Sequence, residues 1–300
     1  MTAVSNFPEW IKRPWASGEP FSETKSLLNG LDLNTVCQSA RCPNMAECWG
    51  RRTATMMVLG NACSRSCRYC SVAAGPLESP DADEPARVAE AIRRLELRHT
   101  VITSVTRDDL ADGGADHIGR TIEAVRESNP STTIEILAPD FLGATDSINR
   151  VIQTLPEIFS HNIETVERLH ATLRGKRFDY QSALRVLSTA RACSSLPIIK
   201  SAFMVGHGET EDEIMQTLRD LRTHGCEAVS IGQYLRPTKK QRTVDAFIHP
   251  DQFKQYERMA YGIGFEFAVA GPFVRSSYRS EAVLEAPFAQ RRLALRSASS

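Results

Sequence analysis

The chain has 300 residues, enough for one large domain, and its lysines plus arginines equal its aspartates plus glutamates, for a formal charge of zero. That balance argues against a general nucleic-acid binder, which needs a net basic face. No run of about eighteen apolar residues appears, so no membrane-spanning helix is expected, and residues 1–10 lack the basic start and apolar core of a secretory signal.

Residues 1–36 are punctuated by Pro8, Pro14, Gly18 and Pro20, which suggests an extended arm, with room for one helix within 22–33. Six of the eight cysteines crowd between residues 37 and 70. A chain this long folds without disulfide staples, so clustered cysteines read as metal ligands in a cytoplasmic protein. Beyond Thr53, short apolar runs alternate with amphipathic stretches. Candidate strands lie at 55–59, 100–105, 132–137, 158–161, 198–205 and 228–232. Val88, Ala91, Ile92 and Leu95 recur at helical spacing, as do Ile214, Leu218 and Leu221. Asp83-Glu84-Pro85 makes a suitable start for the first helix, and Thr210 with Glu213 resembles a capping box for the second. Strand–helix alternation predicts a parallel sheet with right-handed crossovers. Six units give the α/β class, as a partial (β/α)6 TIM-like barrel. N- and C-terminal extensions would cover its open end, with divisions at 1–52, 53–270 and 271–300.

In such barrels chemistry gathers at the C-terminal ends of the strands. Those ends carry Cys63, Cys67 and Cys70, then Arg107-Asp108-Asp109, Gly113-Gly114, Pro139-Asp140, His161-Asn162-Ile163-Glu164, Gly206-His207-Gly208 and Gln233-Tyr234. Glu135 and Lys200 fall inside apolar strands and need partners, supplied by a ligand or by each other. Gly113-Gly114 tolerates close approach to a ligand but commonly marks a turn. His207 reads as a solvent-facing loop residue, and Cys193 and Cys226 as small core residues. Arg236, Lys239, Lys240 and Arg242 concentrate charge, as a solvated loop or as a partner-docking patch.

The cysteines form two triplets, Cys37-x4-Cys42-x5-Cys48 and Cys63-x3-Cys67-x2-Cys70, each suited to holding an iron–sulfur cluster by three thiolates. The alternative is a zinc-knuckle binding module. The second triplet, with Tyr69 before its last cysteine, resembles the radical S-adenosylmethionine (SAM) signature. Both triplets, fifteen residues apart, together with Arg275-Ser276-Ser277-Tyr278, resemble the lipoyl synthase family. Arg107-Asp108-Asp109-Leu110, Pro139-Asp140-Phe141, Gly232-Gln233-Tyr234-Leu235 and Gly271-Pro272-Phe273 extend the likeness over most of the chain. A biotin synthase-like sulfur inserter would leave the first triplet and the Arg-Ser-Ser-Tyr motif unexplained.

The resemblance implies two [4Fe-4S] clusters. Cys63, Cys67 and Cys70 would hold the one that cleaves SAM. Cys37, Cys42, Cys48 and Ser277 would hold an auxiliary one consumed as sulfur donor. Asn162, Lys200, Gln233 and Arg275 are the candidate contacts to SAM or substrate. The implied reaction inserts sulfur at carbons 6 and 8 of a protein-bound octanoyl-lysine. The implied partners are octanoylated carrier domains (2-oxoacid dehydrogenase E2 subunits and the glycine cleavage H protein), an electron donor such as ferredoxin or flavodoxin, and a cluster-repair carrier, with no nucleic acid or membrane. Arg68, Thr106 and Ser71-Val72-Ala73-Ala74 depart from the usual family pattern, which leaves the adenine contacts beside Cys70 open.

Overall fold

The computed structural model describes residues 7–12, 18–193 and 197–298. Pro14, which belongs to the expected arm, lies outside the described residues, as do residues 1–6 and the last two serines of the tail.

Helices α1 (Glu19–Gly30), α2 (Val36–Ser39) and α3 (Met45–Gly50) precede the first strand, β1 (Thr55–Val58). The cysteine loop that follows contains the short parallel pair β2 (Ala62–Cys63) and β3 (Ala73–Ala74). Strand and helix then alternate through α4 (Glu84–Arg94), β4 (His99–Ser104), α5 (Ala115–Ser128), β5 (Thr133–Leu137), α6 (Thr145–Ile152) and β6 (Ile158–Ser160). Helices α7 (Glu167–Arg174) and α8 (Tyr180–Cys193) lead to β7 (Ile198–Val205), α9 (Glu211–Thr223), β8 (Ala228–Gln233) and α10 (Pro250–Ile263). Strand β9 (Phe267–Gly271) and helices α11 (Ala282–Glu285) and α12 (Pro287–Ala298) finish the chain.

The large sheet is parallel throughout, in the order β1-β4-β5-β6-β7-β8-β9. All six expected strands form, and β9 adds a seventh. Its Phe-Ala-Val-Ala-Gly run is short and mostly small, a weak signal for a strand beside the β-branched runs of β4 and β7. Strand–helix order makes the layers: α4 buries Val88, Ala91 and Ile92, while the core strands bury nearly every residue, as in a sheet covered on both faces. The predicted capping box is present, with Glu213 N–H donating to Thr210 Oγ1 (3.3 Å) and Thr210 N–H donating to Glu213 Oε2 (2.8 Å).

The N-terminal extension covers one edge of the sheet, and the C-terminal one returns through the barrel. Thr35 bridges Met56 in antiparallel fashion and Met57 N–H donates to Asn34 O (2.9 Å), so the N-terminal segment covers the β1 edge. After β9 the chain turns back along the barrel interior. Val274 O lies so near Gly232 that a Cβ there would stand 2.1 Å from it, which only glycine avoids. Lower down, Lys200 Nζ donates to Ser276 O (2.7 Å), and His99, the first residue of β4, is 2.9 Å from Ser280 Oγ. Helices α11 and α12 then pack Val283, Leu284, Phe288 and Ala289 against Ile158, Ile198 and Ala228, the first residues of β6, β7 and β8. They close the end of the barrel opposite the cysteine loop.

Candidate active site

The loop carrying Cys63, Cys67 and Cys70 leaves β1 at the C-terminal end of the sheet, where a barrel places its chemistry. Ser64 ties it to the next loop: its N–H and Oγ both donate to Thr106 O (2.9 Å each), and its Oγ accepts from Asp108 N–H (3.1 Å). Between the first two cysteines stands Arg65, whose guanidinium spans two strand ends. It donates to both oxygens of Asp108 (2.7 and 2.8 Å) and to Asp140, including Oδ1 at 2.8 Å. Arg174 reaches Asp140 at 3.3 Å, and Arg177 reaches Asp108 at 3.1 Å. Burial would raise both carboxyls, but Arg65 overrides it and holds Asp108 and Asp140 below the ordinary carboxylate range. Sequence reasoning singled out both aspartates but missed Arg65. Nothing in the sequence distinguished it from Arg68 three positions on, which is exposed.

Backbone N–H groups point at the thiols. Arg65 N–H donates to Cys63 Sγ and Val72 N–H to Cys70 Sγ, each at 3.4 Å. Hydrogen bonds to sulfur are among the features that set cluster potentials. Burial pushes the Cys70 thiol up to about 12 and raises Cys67, against the pull of Arg174. A coordinating metal reverses such a shift and leaves the thiolate.

The first triplet is brought together differently. Cys37, Cys42 and Cys48 line one cavity of about 50 Å³ with Ser277, Arg275 and Tyr278. Two contacts lock this arrangement across the chain. Asn44 Nδ2 donates to Phe273 O (2.7 Å) over 229 positions, and Tyr278 Oη donates to Glu47 Oε1 (2.9 Å). Burial and then neighbouring thiols raise Cys37 to about 11 and Cys48 to about 12. Among the described residues no three His, Cys, Asp or Glu side chains are placed to hold a single metal ion. Ligands to a cubane stand at separate corners and need no such convergence.

The four candidate SAM or substrate contacts divide into two kinds. Asn162 and Arg275 line a small pocket of about 80 Å³ with Glu164, Met204 and Gly232. Asn162 Oδ1 is buried there without a hydrogen-bond partner among the described residues, and enclosure raises the Glu164 carboxyl. Lys200 and Gln233 are instead occupied by protein. Lys200 donates to both Glu135 oxygens (3.0 and 2.9 Å) and to Ser276 O, and Ser160 Oγ completes the group on Glu135 (2.6 Å). The two polar residues inside apolar strands therefore satisfy each other. Gln233 Nε2 donates to Val205 O, Tyr234 O and Ala246 O, while its Oε1 accepts from Ile248 N–H (2.8 Å).

Three smaller expectations are also resolved. His207 is buried rather than solvent-facing, stacked on Tyr234 at 4.1 Å between ring centroids. Gly113 and Gly114 both take positive φ (64° and 88°) and face Phe141 and Leu59, so the pair serves packing and a turn. Cys226 is fully buried, as a core residue should be, while Cys193 is half-buried.

Comparison with known proteins bears on the same residues. The sequence profile of the radical SAM superfamily matches residues 57–221. Lipoyl synthase of Chlorobaculum tepidum is 49% identical over 92% of this chain and 94% of its own. That of Caldanaerobacter subterraneus subsp. tengcongensis is 47% identical over 91% and 95%. Among solved structures, methylornithine synthase superposes with a TM-score of 0.52 at 12% identity, over 90% of this chain and 89% of its own. Streptococcus suis SuiB bound to S-adenosylmethionine gives 0.56 at 11% identity, over 83% and 60%. At such identities the superpositions speak for the fold, and the sequence matches for the family. The chain belongs to the lipoyl synthase family, within the radical SAM superfamily of enzymes.

Proposed function

We propose that the chain inserts two sulfur atoms, at carbons 6 and 8 of an octanoyl chain amide-linked to a lysine of a lipoyl carrier domain, giving lipoyl-lysine. The observation that carries this reading is the single cavity lined by Cys37, Cys42, Cys48 and Ser277. Three thiols and one hydroxyl suit the four irons of a [4Fe-4S] cluster, and a hard oxygen holds its iron less firmly than a thiolate. That fits a cluster taken apart as sulfur donor. Cys63, Cys67 and Cys70 leave one iron of a second cluster open to SAM. When bound, the clusters and SAM supply the electron, the 5′-deoxyadenosyl radical and the sulfur.

The chain's own residues supply placement and enclosure. Arg65 holds the SAM-cluster loop against two strand ends. Asn162 and Arg275 are the residues we assign to SAM or substrate, while Lys200 and Gln233 act through the segments they hold. On this reading residues 1–52 carry the auxiliary cluster, 53–270 form the radical-generating barrel, and 271–300 deliver Ser277. The carriers are 2-oxoacid dehydrogenase E2 subunits and the glycine cleavage H protein. A ferredoxin or flavodoxin supplies electrons, and a cluster-repair carrier restores the auxiliary cluster. No described helix is long and apolar enough to cross a membrane.

The test is anaerobic incubation of reduced protein with SAM and an octanoyl-lysine peptide. A dithiolane product is expected, and SAM cleavage without thiolated product refutes the assignment. Ser277→Ala should keep SAM cleavage and lose most sulfur insertion. If both survive unchanged, the serine ligand is wrong.

A further inference from the structure

A cleft of about 1100 Å³ opens beside Cys67 and Cys70, and six cations line it: Arg41, Arg68, Arg236, Lys239, Lys240 and Arg242. One carboxylate faces them, Asp245, and it is paired with Arg242 at 2.6 Å. Arg41, Arg68, Lys239 and Lys240 are exposed and have no carboxylate partner among the described residues. In a chain of zero formal charge this is a strong local excess.

These cations are not on a loose loop. Gln241 Nε2 donates to Cys70 O (3.0 Å), Arg242 N–H to Arg68 O (2.9 Å) and Tyr234 Oη to Arg242 O (2.8 Å). Ser71 Oγ donates to Ser39 O (2.6 Å), which joins the two cysteine segments. Arg236 spends its guanidinium on Gln241 O (2.8 Å) and Lys239 O, bracing the turn that presents Lys239 and Lys240. Like charges held at fixed positions around a concavity raise the local potential and steer an oppositely charged partner into it.

We infer that this cleft is the docking surface for the octanoylated carrier domain, which meets it with an acidic face. The inference rests on the proposed octanoyl-lysine substrate. The lining decides between carrier and electron donor. A reductant needs to reach only the SAM-cleaving cluster, whereas an acylated lysine must be served from both cysteine segments. The cleft is walled by both, through Arg41 between Cys37 and Cys42 and through Cys67 and Cys70.

The test uses the reconstituted holoenzyme with dithionite as reductant, in single-turnover sulfur insertion. Substrates are an octanoylated carrier domain and an octanoyl-lysine peptide. Lys239→Glu/Lys240→Glu should raise the carrier concentration needed for half-maximal rate on the order of tenfold at low salt. The effect should shrink at high salt, and the peptide reaction should not change. In the wild type, added salt should weaken the carrier reaction alone. An unchanged carrier response, a flat salt dependence, or an equal loss with the peptide overturns the docking surface. A defect seen only with a protein reductant assigns the patch to the electron donor and also overturns it. If the wild type forms no dithiolane on either substrate, the proposed function itself fails and the inference falls with it.

Discussion

Lys200→Met separates a SAM contact from an internal brace. Methionine keeps most of the stem and removes the ammonium, whose donors go to both Glu135 oxygens (3.0 and 2.9 Å) and to Ser276 O (2.7 Å). Lys200 is 1% exposed and Glu135 fully buried, so the variant leaves a carboxylate with Ser160 as its remaining side-chain donor. Breaking one partner of a buried pair costs about 3–5 kcal/mol, because the other charge stays behind. For a chain of this size that corresponds to a fall in Tm of roughly 6–10 °C, at the lower end of the usual shift per kcal/mol. Glu135→Gln added to Lys200→Met should recover about half of the loss, since an amide is cheaper to bury than a stranded carboxylate. The assay is thermal unfolding of the apoprotein, with SAM cleavage by the reconstituted enzyme alongside. A single variant melting within about 2 °C of the wild type while its KM for SAM rises steeply refutes the reasoning. Lys200 would then serve the cofactor.

Arg65→Met should leave Asp108 to Arg177 and Asp140 to Arg174 and release the Cys63–Cys70 loop from both strand ends. Iron is expected to fall from roughly eight to about four per chain, with SAM cleavage lost. Arg65→Lys should recover little, because an ammonium cannot serve two carboxylates in the same planar fork; full iron and full SAM cleavage in Arg65→Met would sink the clamp. Acid should destabilise the apoprotein early. Burial lowers His161 and His207 from 6.5 to about 4 and His170 to about 3, so the unfolded chain binds protons on these rings before the native one does. Their contribution is present above about pH 6.5 and is lost as pH falls toward 4, by up to about 1.4 kcal/mol per pH unit for each ring. Tm should therefore drop by several degrees between about pH 7 and about pH 5, and His207→Phe should flatten the slope; a Tm constant over that interval contradicts it.

What the chain shows locally was open to reading from sequence. The cysteine spacings, the apolar runs of β1 and β4 to β8, and the Thr210–Glu213 cap depend on residues a few positions apart. Chain order alone also implied which loops gather at the C-terminal ends of the strands, because parallel strands with right-handed crossovers leave few arrangements. Strand β9 escaped because its small residues carry a weak pattern, and it forms by completing the edge beside β8.

Partnerships between distant side chains were decided by the tertiary structure. Sequence left Lys200 open between a ligand and Glu135, because it does not reveal that β5 and β7 flank β6 with Glu135 across from Lys200, nor that Ser276 returns through the barrel. Arg65 was unremarkable until two strand ends supplied Asp108 and Asp140. The triplet at Cys37, Cys42 and Cys48 stated by itself that three thiols share a site. That Ser277 lines the same cavity follows from Asn44 holding Phe273 and Glu47 holding Tyr278. Spacing along a chain specifies which residues can share a turn or a strand face. Which carboxylate a buried cation meets is specified by packing, because its energy depends on distance and burial in the folded state.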